Sequence, residues 1–398
     1  MNKKIFFIII ASCLGNTLQS THAQIMATER IRLTSTCPWG QELAVVTGNS
    51  VPALLGAAVQ QITLLAYSQG RLSPVSFQID QKDAQGRYLT EASPPGGPQS
   101  DSAVLDENDE LVFRFIDSGD KLPLTSRFMS LYSLVEIQIS ETKAGISGWI
   151  YASTSSRSKL PAVNKFVHYL ADTDSVQSGL YQVSFSERLP FLLDAFHWKL
   201  VGNHTWSPDI SDTMKIRHRG TFLGFIPFHR TQHDYSSRLE AIKEGPLRII
   251  RRTSNRIRML WKLETPTLYV DYFLMPDGFM MDTIIDIPFY IGLFFSYVET
   301  LTTMDWNDDP GLPTLTIHSP DGVNELAVDG HMSAKKQAFN TVDIRHISVS
   351  SAFGELSIHL DIPADFPIQP WLYLRDDVEQ PDSPENHAGQ FGNVGFRT

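Results

Sequence analysis

The sequence predicts an all-β protein of β-sandwich architecture, and three observations carry that reading. Strand-like runs recur about every 8–12 residues, turn residues separate them, and helical signals are few. The chain has 398 residues, long enough either for one oversized sandwich or for two packed β domains. Its length leans to two.

From the N-terminus, residues 1–23 read as an export signal. Lys3 and Lys4 precede an apolar stretch over residues 5–14, and Thr21-His22-Ala23 ahead of Gln24 offers a small-residue cleavage site. The apolar core is far short of the ~20 residues a membrane helix needs. Ile10-Ala11-Ser12-Cys13 also resembles a bacterial lipobox, in which Cys13 would carry a lipid anchor. Cleavage before Gln24 is the favoured reading. An exported chain is expected, whether periplasmic, secreted or associated with the outer membrane.

After that cleavage the chain holds 31 basic and 44 acidic residues, a net charge of −13. Such a balance disfavours nucleic acid as a partner, which would require a basic footprint. Only Cys37 remains, so no internal disulfide forms, and no C-x-x-C-H haem motif is present. No later window contains eighteen uncharged apolar residues, so no transmembrane span is expected after signal removal. The most apolar run, 289–298, reads as a buried strand. An outer-membrane barrel fits poorly, because its strands should alternate throughout and its end should be aromatic; here the chain ends Phe396-Arg397-Thr398.

Strands are expected over 75–79, 111–116, 134–140, 147–154 and 181–186. The cleanest is 256–264, where Ile257, Met259, Trp261 and Leu263 share one face and Arg256, Arg258, Lys262 and Glu264 the other. Runs 267–275 and 279–287 flank Pro276-Asp277-Gly278, a hairpin turn by composition. Further strands are expected over 314–318, 344–350, 355–362 and 371–375. Two helical turns are expected over 236–244, stopped by Gly245-Pro246, and 53–62 is ambiguous. Of the loop-like stretches 90–102 and 153–161, the second is the better boundary, giving domains 24–157 and 158–398.

Three constellations bear on chemistry. The first pairs Pro74-Val-Ser-Phe-Gln-Ile-Asp80 with Asp106-Glu-Asn-Asp-Glu-Leu-Val-Phe113. Asp80, Asp83, Asp106, Asn108, Asp109 and Glu110 offer hard oxygen ligands that suit a structural calcium ion. However, Leu111 stands where an EF-hand loop needs Gly, and Asp117 where it needs Glu. An Asx-type turn leading into a strand is the competing reading. These two motifs, with Glu244-Gly-Pro-Leu-Arg-Ile-Ile-Arg-Arg252 and the ending Gly389-Gln-Phe-Gly-Asn-Val-Gly-Phe-Arg397, resemble an uncharacterised family of secreted bacterial β-rich proteins. More weakly, the chain is similar to N-terminal β modules of polysaccharide-processing proteins. The resemblance implies a β architecture and no activity.

The second constellation is basic: Arg248, Arg252, Arg256 and Arg258, with Lys243, Arg251 and Lys262 nearby. Arginine forks suit carboxylates, so an acidic glycan is a candidate ligand. A solvated sheet face paired with neighbouring acids is the alternative. The third gathers His218, His229, His233 and Tyr235, where a His or Tyr base beside arginine would suit β-elimination on a uronic acid, as in a polysaccharide lyase. The metalloprotease motif H-E-x-x-H is absent, as are a P-loop, a G-x-G-x-x-G turn and a G-x-S-x-G elbow. Trp149, Trp198, Trp206, Trp306 and Trp371 are candidates for stacking on sugars or for packing in the core.

The leading expectation is therefore a non-catalytic envelope protein that binds a ligand, an acidic glycan or an envelope protein partner. The alternatives are a carbohydrate-active enzyme and an accessory protein of an extracellular electron conduit.

Overall fold

A computed structural model describes residues 3–11, 30–35, 43–90, 104–123, 134–141, 146–154, 164–200, 205–260, 263–285, 295–319, 325–341, 344–362, 368–382, 385 and 388–398. Antiparallel strands dominate it, in the all-β, sandwich-type class expected. The expected positions Cys13, Gln24 and Cys37 and most of the two long loops lie outside the described residues.

The chain divides into two compact units. Unit 2 comprises Leu14–His168 and, returning much later, Ala241–Ile249; unit 1 comprises Met1–Cys13, Tyr169–Glu240 and Ile250–Thr398.

In unit 2 one sheet orders Arg30–Ser35, Leu134–Glu141, Ile146–Ser153, Thr63–Ser68 and Arg71–Pro74; the other orders Leu43–Thr47, Glu110–Arg114 and Phe77–Asp80. Period-two apolar residues explain how they stack. Val46, Leu111 and Phe113 from the small sheet share one buried core with Leu64, Ile137, Ile150 and Ala152 from the large one. That is a two-layer sandwich.

In unit 1 a ten-stranded sheet contains, in order, Tyr235–Lys243, Ile249–Leu260, Leu268–Leu274, Phe279–Ile285, Lys3–Ala11, Gly354–Asp361, His346–Ser351, Thr316–His318 and Glu325–Ala327, with Leu263–Glu264 beside the second. A four-stranded sheet runs Val167–Leu170, Ser175–Ser178, Tyr181–Phe185 and Leu193–Trp198. Aromatic contacts join it to the large sheet: Phe185 meets Tyr272 edge-on at 5.0 Å, and Tyr181 meets Phe279 at 5.7 Å. The third sheet orders Ile226–Arg230, Ser211–Phe222, Phe295–Trp306, Gln390–Arg397 and Trp371–Asp377.

Several local expectations are met. Leu274 pairs with Phe279 across the Pro276-Asp277-Gly278 turn, closed by Met275 N donating to Gly278 O at 2.8 Å. Ile257 and Met259 are buried while Arg256 and Arg258 are exposed; Leu263, expected inside, is 56% exposed. Two corrections stand out. Residues 236–244, expected helical, belong to the strand Tyr235–Lys243. Ser237 donates to Asn255 at 2.6 Å and Ser254 bonds Glu240, so cross-strand partners override a helix-forming composition. The expected buried strand 289–298 is described only from Phe295, where Ser296, Tyr297 and Val298 are exposed.

Lys3–Ala11, the core of the expected export signal, pairs antiparallel with Phe279–Ile285 on one side and Gly354–Asp361 on the other. Removing residues 1–23 is expected to raise amide exchange throughout those two neighbours, because each loses a ladder of hydrogen bonds. Unchanged exchange would mean that the two strands close on one another without it.

Candidate functional site

The first and second constellations meet in unit 2. Asp80 and Glu110 are directly opposed residues of paired strands. Arg248, on the returning segment Ala241–Ile249, reaches both: Nε donates to Asp80 at 2.6 Å and Nη2 pairs with Glu110. Lys243 lies 3.2 Å from Asp80, Lys82 pairs with Glu110, and Tyr88 donates to Glu110 at 3.0 Å. Gln78 completes the clasp. Its carbonyl oxygen accepts from Leu247 N (3.2 Å) and Arg248 N (3.1 Å), and its amide donates to Asp80 (2.8 Å). Gly245 is required beside it, since a Cβ there would lie 1.9 Å from Gln78 Oε1.

Burial opposes the charges of Asp80, Glu110 and Arg248, yet their partners prevail. Against that penalty, Arg248 and Lys243 hold the Asp80 carboxyl below its ordinary range, Arg248 and Lys82 do the same for Glu110, and Asp80, Tyr88 and Glu110 raise Arg248. Arg248, expected to bind ligand, is thus enclosed in structure.

The other expected calcium ligands are engaged too. Asp83 accepts from Gln85 N (2.8 Å), Arg87 N (2.9 Å) and Arg87 Nε (2.7 Å). Asp106 caps its own turn by accepting from Asn108 N and Asp109 N, and Asp109 accepts from Lys82 N and Asp106 N. Asn108 reaches Asp83 O at 3.4 Å. Among the described residues no group of three His, Cys, Asp or Glu is gathered to hold a metal ion. The carboxylates are arranged as an Asx turn and an ion-pair network.

On Ile249–Leu260 the remaining arginines alternate along the wet face, each beside its own acid. Arg252 chelates Asp271 through two 2.7 Å bonds, Arg256 lies 3.7 Å from Glu264, and Arg258 pairs with Asp234. Arg251 points inward and is fully buried, with Nε 3.0 Å from Asp174.

Of the third constellation, His218 and Tyr235 come together while His229 and His233 stand exposed and apart from them. The Tyr235 hydroxyl lies 2.6 Å from His218 Nε2, and His218 Nδ1 lies 2.9 Å from Thr300 Oγ1. A neutral imidazole accepting from the phenol at Nε2 and donating to Thr300 at Nδ1 satisfies all three groups. Burial drives the His218 pKa down to about 4 and the Tyr235 pKa well upward. Near neutrality neither group is an effective base; His218 is buried, and Tyr235 is half-buried against Phe191.

The polar face of the third sheet, which the sequence reading did not assemble, is the stronger candidate. Lys215, Arg217 and Arg219 project from Ser211–Phe222 on the side opposite Met214 and Ile216. Register sets Arg217 beside Leu301, Leu301 beside Arg397, and Arg397 beside Trp371. Lys215 is buried 2.5 Å from Asp305 and 3.6 Å from Glu385, and Arg217 lies 2.6 Å from Asp382. Burial pushes the Asp305 carboxyl up to about 6 although Lys215 opposes it. For Glu385 burial also pushes upward, and Lys215 and Arg217 outweigh it. Arg217 Nε, Arg375 Nε and Asn393 Oδ1 are buried with no hydrogen-bond partner among the described residues.

Beside this buried charge the face opens into a cleft of about 410 Å³, lined by Trp371, Tyr373, Arg375 and Arg397 and by Met332, Gln337 and Asn340. The short helix α1 (Ala334–Ala338) leads into Asn340, whose amide bridges Leu374 N (2.8 Å) and Leu374 O (3.2 Å) and so closes the sheet edge. Trp371 is 37% exposed, and the Arg397 guanidinium sits 4.4 Å from its ring centroid. Glu299 is the acid for two arginines: it pairs with Arg219 and lies 3.5 Å from Arg397. Two guanidiniums thus share one carboxylate, and one of them, Arg397, lines the cleft.

No protein-family model matches the chain, and no curated protein matches it. The geometry alone carries the functional reading.

Two outcomes are expected. Arg248→Met leaves Asp80 and Glu110 buried and facing one another, and should cost ~3–5 kcal/mol in denaturant-unfolding stability; a loss under ~1 kcal/mol would mean the clasp is not desolvated. His218 is neutral when folded, with a pKa near 4 against an ordinary 6.5. The unfolded chain therefore binds the extra proton first, and the stability His218 contributes is lost as pH falls from 6.5 towards 4. His218→Gln should flatten the stability–pH curve in that window, and an unaltered slope would count against a buried neutral His218.

Proposed function

We propose that this chain is an exported, non-catalytic binding module of the bacterial cell envelope, and that the cleft beside Trp371 takes an acidic glycan. The observation that carries this reading is the pairing of a part-exposed Trp371 indole with Arg397, which lines the same cleft and shares the Glu299 carboxylate with Arg219. A sugar ring stacks on the indole, and a uronate carboxylate fits the guanidinium left under-compensated. Arg375, whose acid is Asp377 at 3.0 Å, offers a second fork within the same cleft. The N-terminal signal pattern supports export. The lyase reading loses ground because its two convergent residues, the buried His218 and half-buried Tyr235, have pKa values far from neutrality on either side.

The test is affinity electrophoresis of the purified protein in polygalacturonate, alginate and neutral dextran, with mass analysis of the polysaccharide afterwards. Retention by the acidic polymers without new fragments is expected. Trp371→Ala and Arg397→Ala should each weaken it by about tenfold, the scale of one stacking or charge-assisted contact. New fragments would establish an enzyme instead, and retention indifferent to both substitutions would remove the cleft from the argument.

A further inference from the structure

At one end of the third sheet, Leu223, Gly224 and Phe225 connect the strands Ser211–Phe222 and Ile226–Arg230, with Leu223 and Gly224 as the central pair of a β-turn. Phe225 N donates to Phe222 O at 3.3 Å, and both turn residues have positive φ, +51° and +80°. A two-residue turn of this hand matches the twist of a hairpin and normally takes Asn or Asp before the glycine. Leucine is poor there twice over: its Cβ crowds the left-handed backbone, and its side chain is set in water. Leu223 is 48% exposed and Phe225 76% exposed.

The neighbouring strand adds to this tip. Tyr297 opposes Thr221 and Val298 opposes Gly220, and they are 52% and 41% exposed. Beneath them Phe222, Phe228 and Met259 are buried together, with Ile226 and Phe295 packed against them. The exposed residues therefore stand on a fixed apolar base. Four large apolar residues are thus part-exposed or exposed around one hairpin end, Tyr297 and Val298 on opposite faces of their strand.

We propose that this hairpin tip inserts into the interfacial layer of a phospholipid membrane. Three observations favour lipid over a pocket on another protein. The feature is a projecting turn, which enters a yielding medium more readily than it meets a rigid complement. Tyr297 stands just behind the tip, 52% exposed, with its hydroxyl donating to the buried Glu299 at 2.5 Å, and aromatic residues of this kind are enriched at headgroup level. Arg230 supplies a cation for lipid phosphate. Among the described residues its hydrogen bonds go only to the main-chain carbonyls of Arg258, His229 and Met259, and no acid pairs with it. Local charge thus departs from the acidic balance of the chain as a whole.

The experiment floats the protein, purified as the cell releases it, with vesicles of phosphatidylethanolamine and phosphatidylglycerol. The double variant Leu223→Asp, Phe225→Asp should bind about tenfold less or weaker still, with a melting temperature lowered little, because Phe225 is 76% and Leu223 48% exposed. A second readout is independent of any other attachment to the membrane. Phe225→Trp should add fluorescence that brominated acyl chains quench beyond the quenching of the native tryptophans. Binding unmoved by the two aspartates, together with no added quenching in the Phe225→Trp variant, would overturn the proposal and assign the tip to a protein partner.

Discussion

Two carboxylates, Asp80 and Glu110, face each other across a pair of strands inside unit 2, and the fold must answer their repulsion. Like charges directly opposed on a sheet destabilise it even at the surface, and in the interior the cost multiplies. The answer is three cations, of which Lys82 comes from the adjacent turn and Lys243 and Arg248 from more than a hundred residues later. This explains why unit 2 is discontinuous in sequence. The sandwich of residues 43–154 carries a buried acidic pair that it cannot neutralise alone, and Ala241–Ile249 supplies what is missing. Gln78 then fixes the register of the returning segment as another strand would, with its amide accepting from two backbone N–H groups and donating to Arg248 O at 3.2 Å. A buried ion cluster of this kind is a weak source of net stability and a stronger source of specificity, since among the described residues only this returning segment meets both carboxylates and the amide at once.

Unit 1 meets a related constraint in a different way. Its third sheet has one face that is apolar, with Met214, Ile216, Met304, Val394, Phe396, Leu372 and Leu374 buried. On the other face Lys215, Arg217 and Asp305 are buried as well, because residues 382 and 385 bring carboxylates over them. A sheet face can be dry on both sides only if its charges are matched, and here the matching is fullest at Lys215 and thinnest at Arg397. From Lys215 to Arg397 the face passes from interior to cleft, and the ratio of carboxylates to guanidiniums falls along the same path.

Much of the fold is legible in the sequence because period-two burial is a local property. Ile257 and Met259 inside, Arg256 and Arg258 outside, and the turn at Pro276-Asp277-Gly278 all follow from adjacent residues. Residues 236–244 mislead because Leu239, Glu240, Ala241 and Lys243 are good helix formers, and the hydrogen bonds from Ser237 and Ser254 that decide the matter cross between strands. The three conspicuous motifs around Asp80, Glu110 and Arg248 are visible, but their meeting is not, since nothing local says that oppositely charged segments far apart in sequence will close on each other. Acidic turns with alternating oxygens look alike whether they await a cation from solution or from the chain. The site at Trp371 left one unread trace: Lys215, Arg217 and Arg219 alternate with Met214, Ile216 and His218, the signature of a strand with one strongly cationic face.

Counting charges along a strand does not separate a binding surface from an ordinary wet one; counting acids per cation does. Arg252, Arg256 and Arg258 form the denser basic run, yet Asp271, Glu264 and Asp234 stand one to each. A ligand there would have to displace an intramolecular carboxylate, and the exchange of one carboxylate for another yields little. Arg219 and Arg397 are less conspicuous in sequence, but they divide Glu299 between them, and an incoming anion at Arg397 displaces only a contact of 3.5 Å. The same reasoning applies to apolar groups at the hairpin tip. Singly exposed leucines are ordinary, whereas Leu223 occupies a left-handed position where Asn would be favoured by both backbone and solvent. Among the described residues no neighbour offsets that mismatch at Leu223, and it is this imbalance, rather than exposure alone, on which the proposal of an outside contact rests.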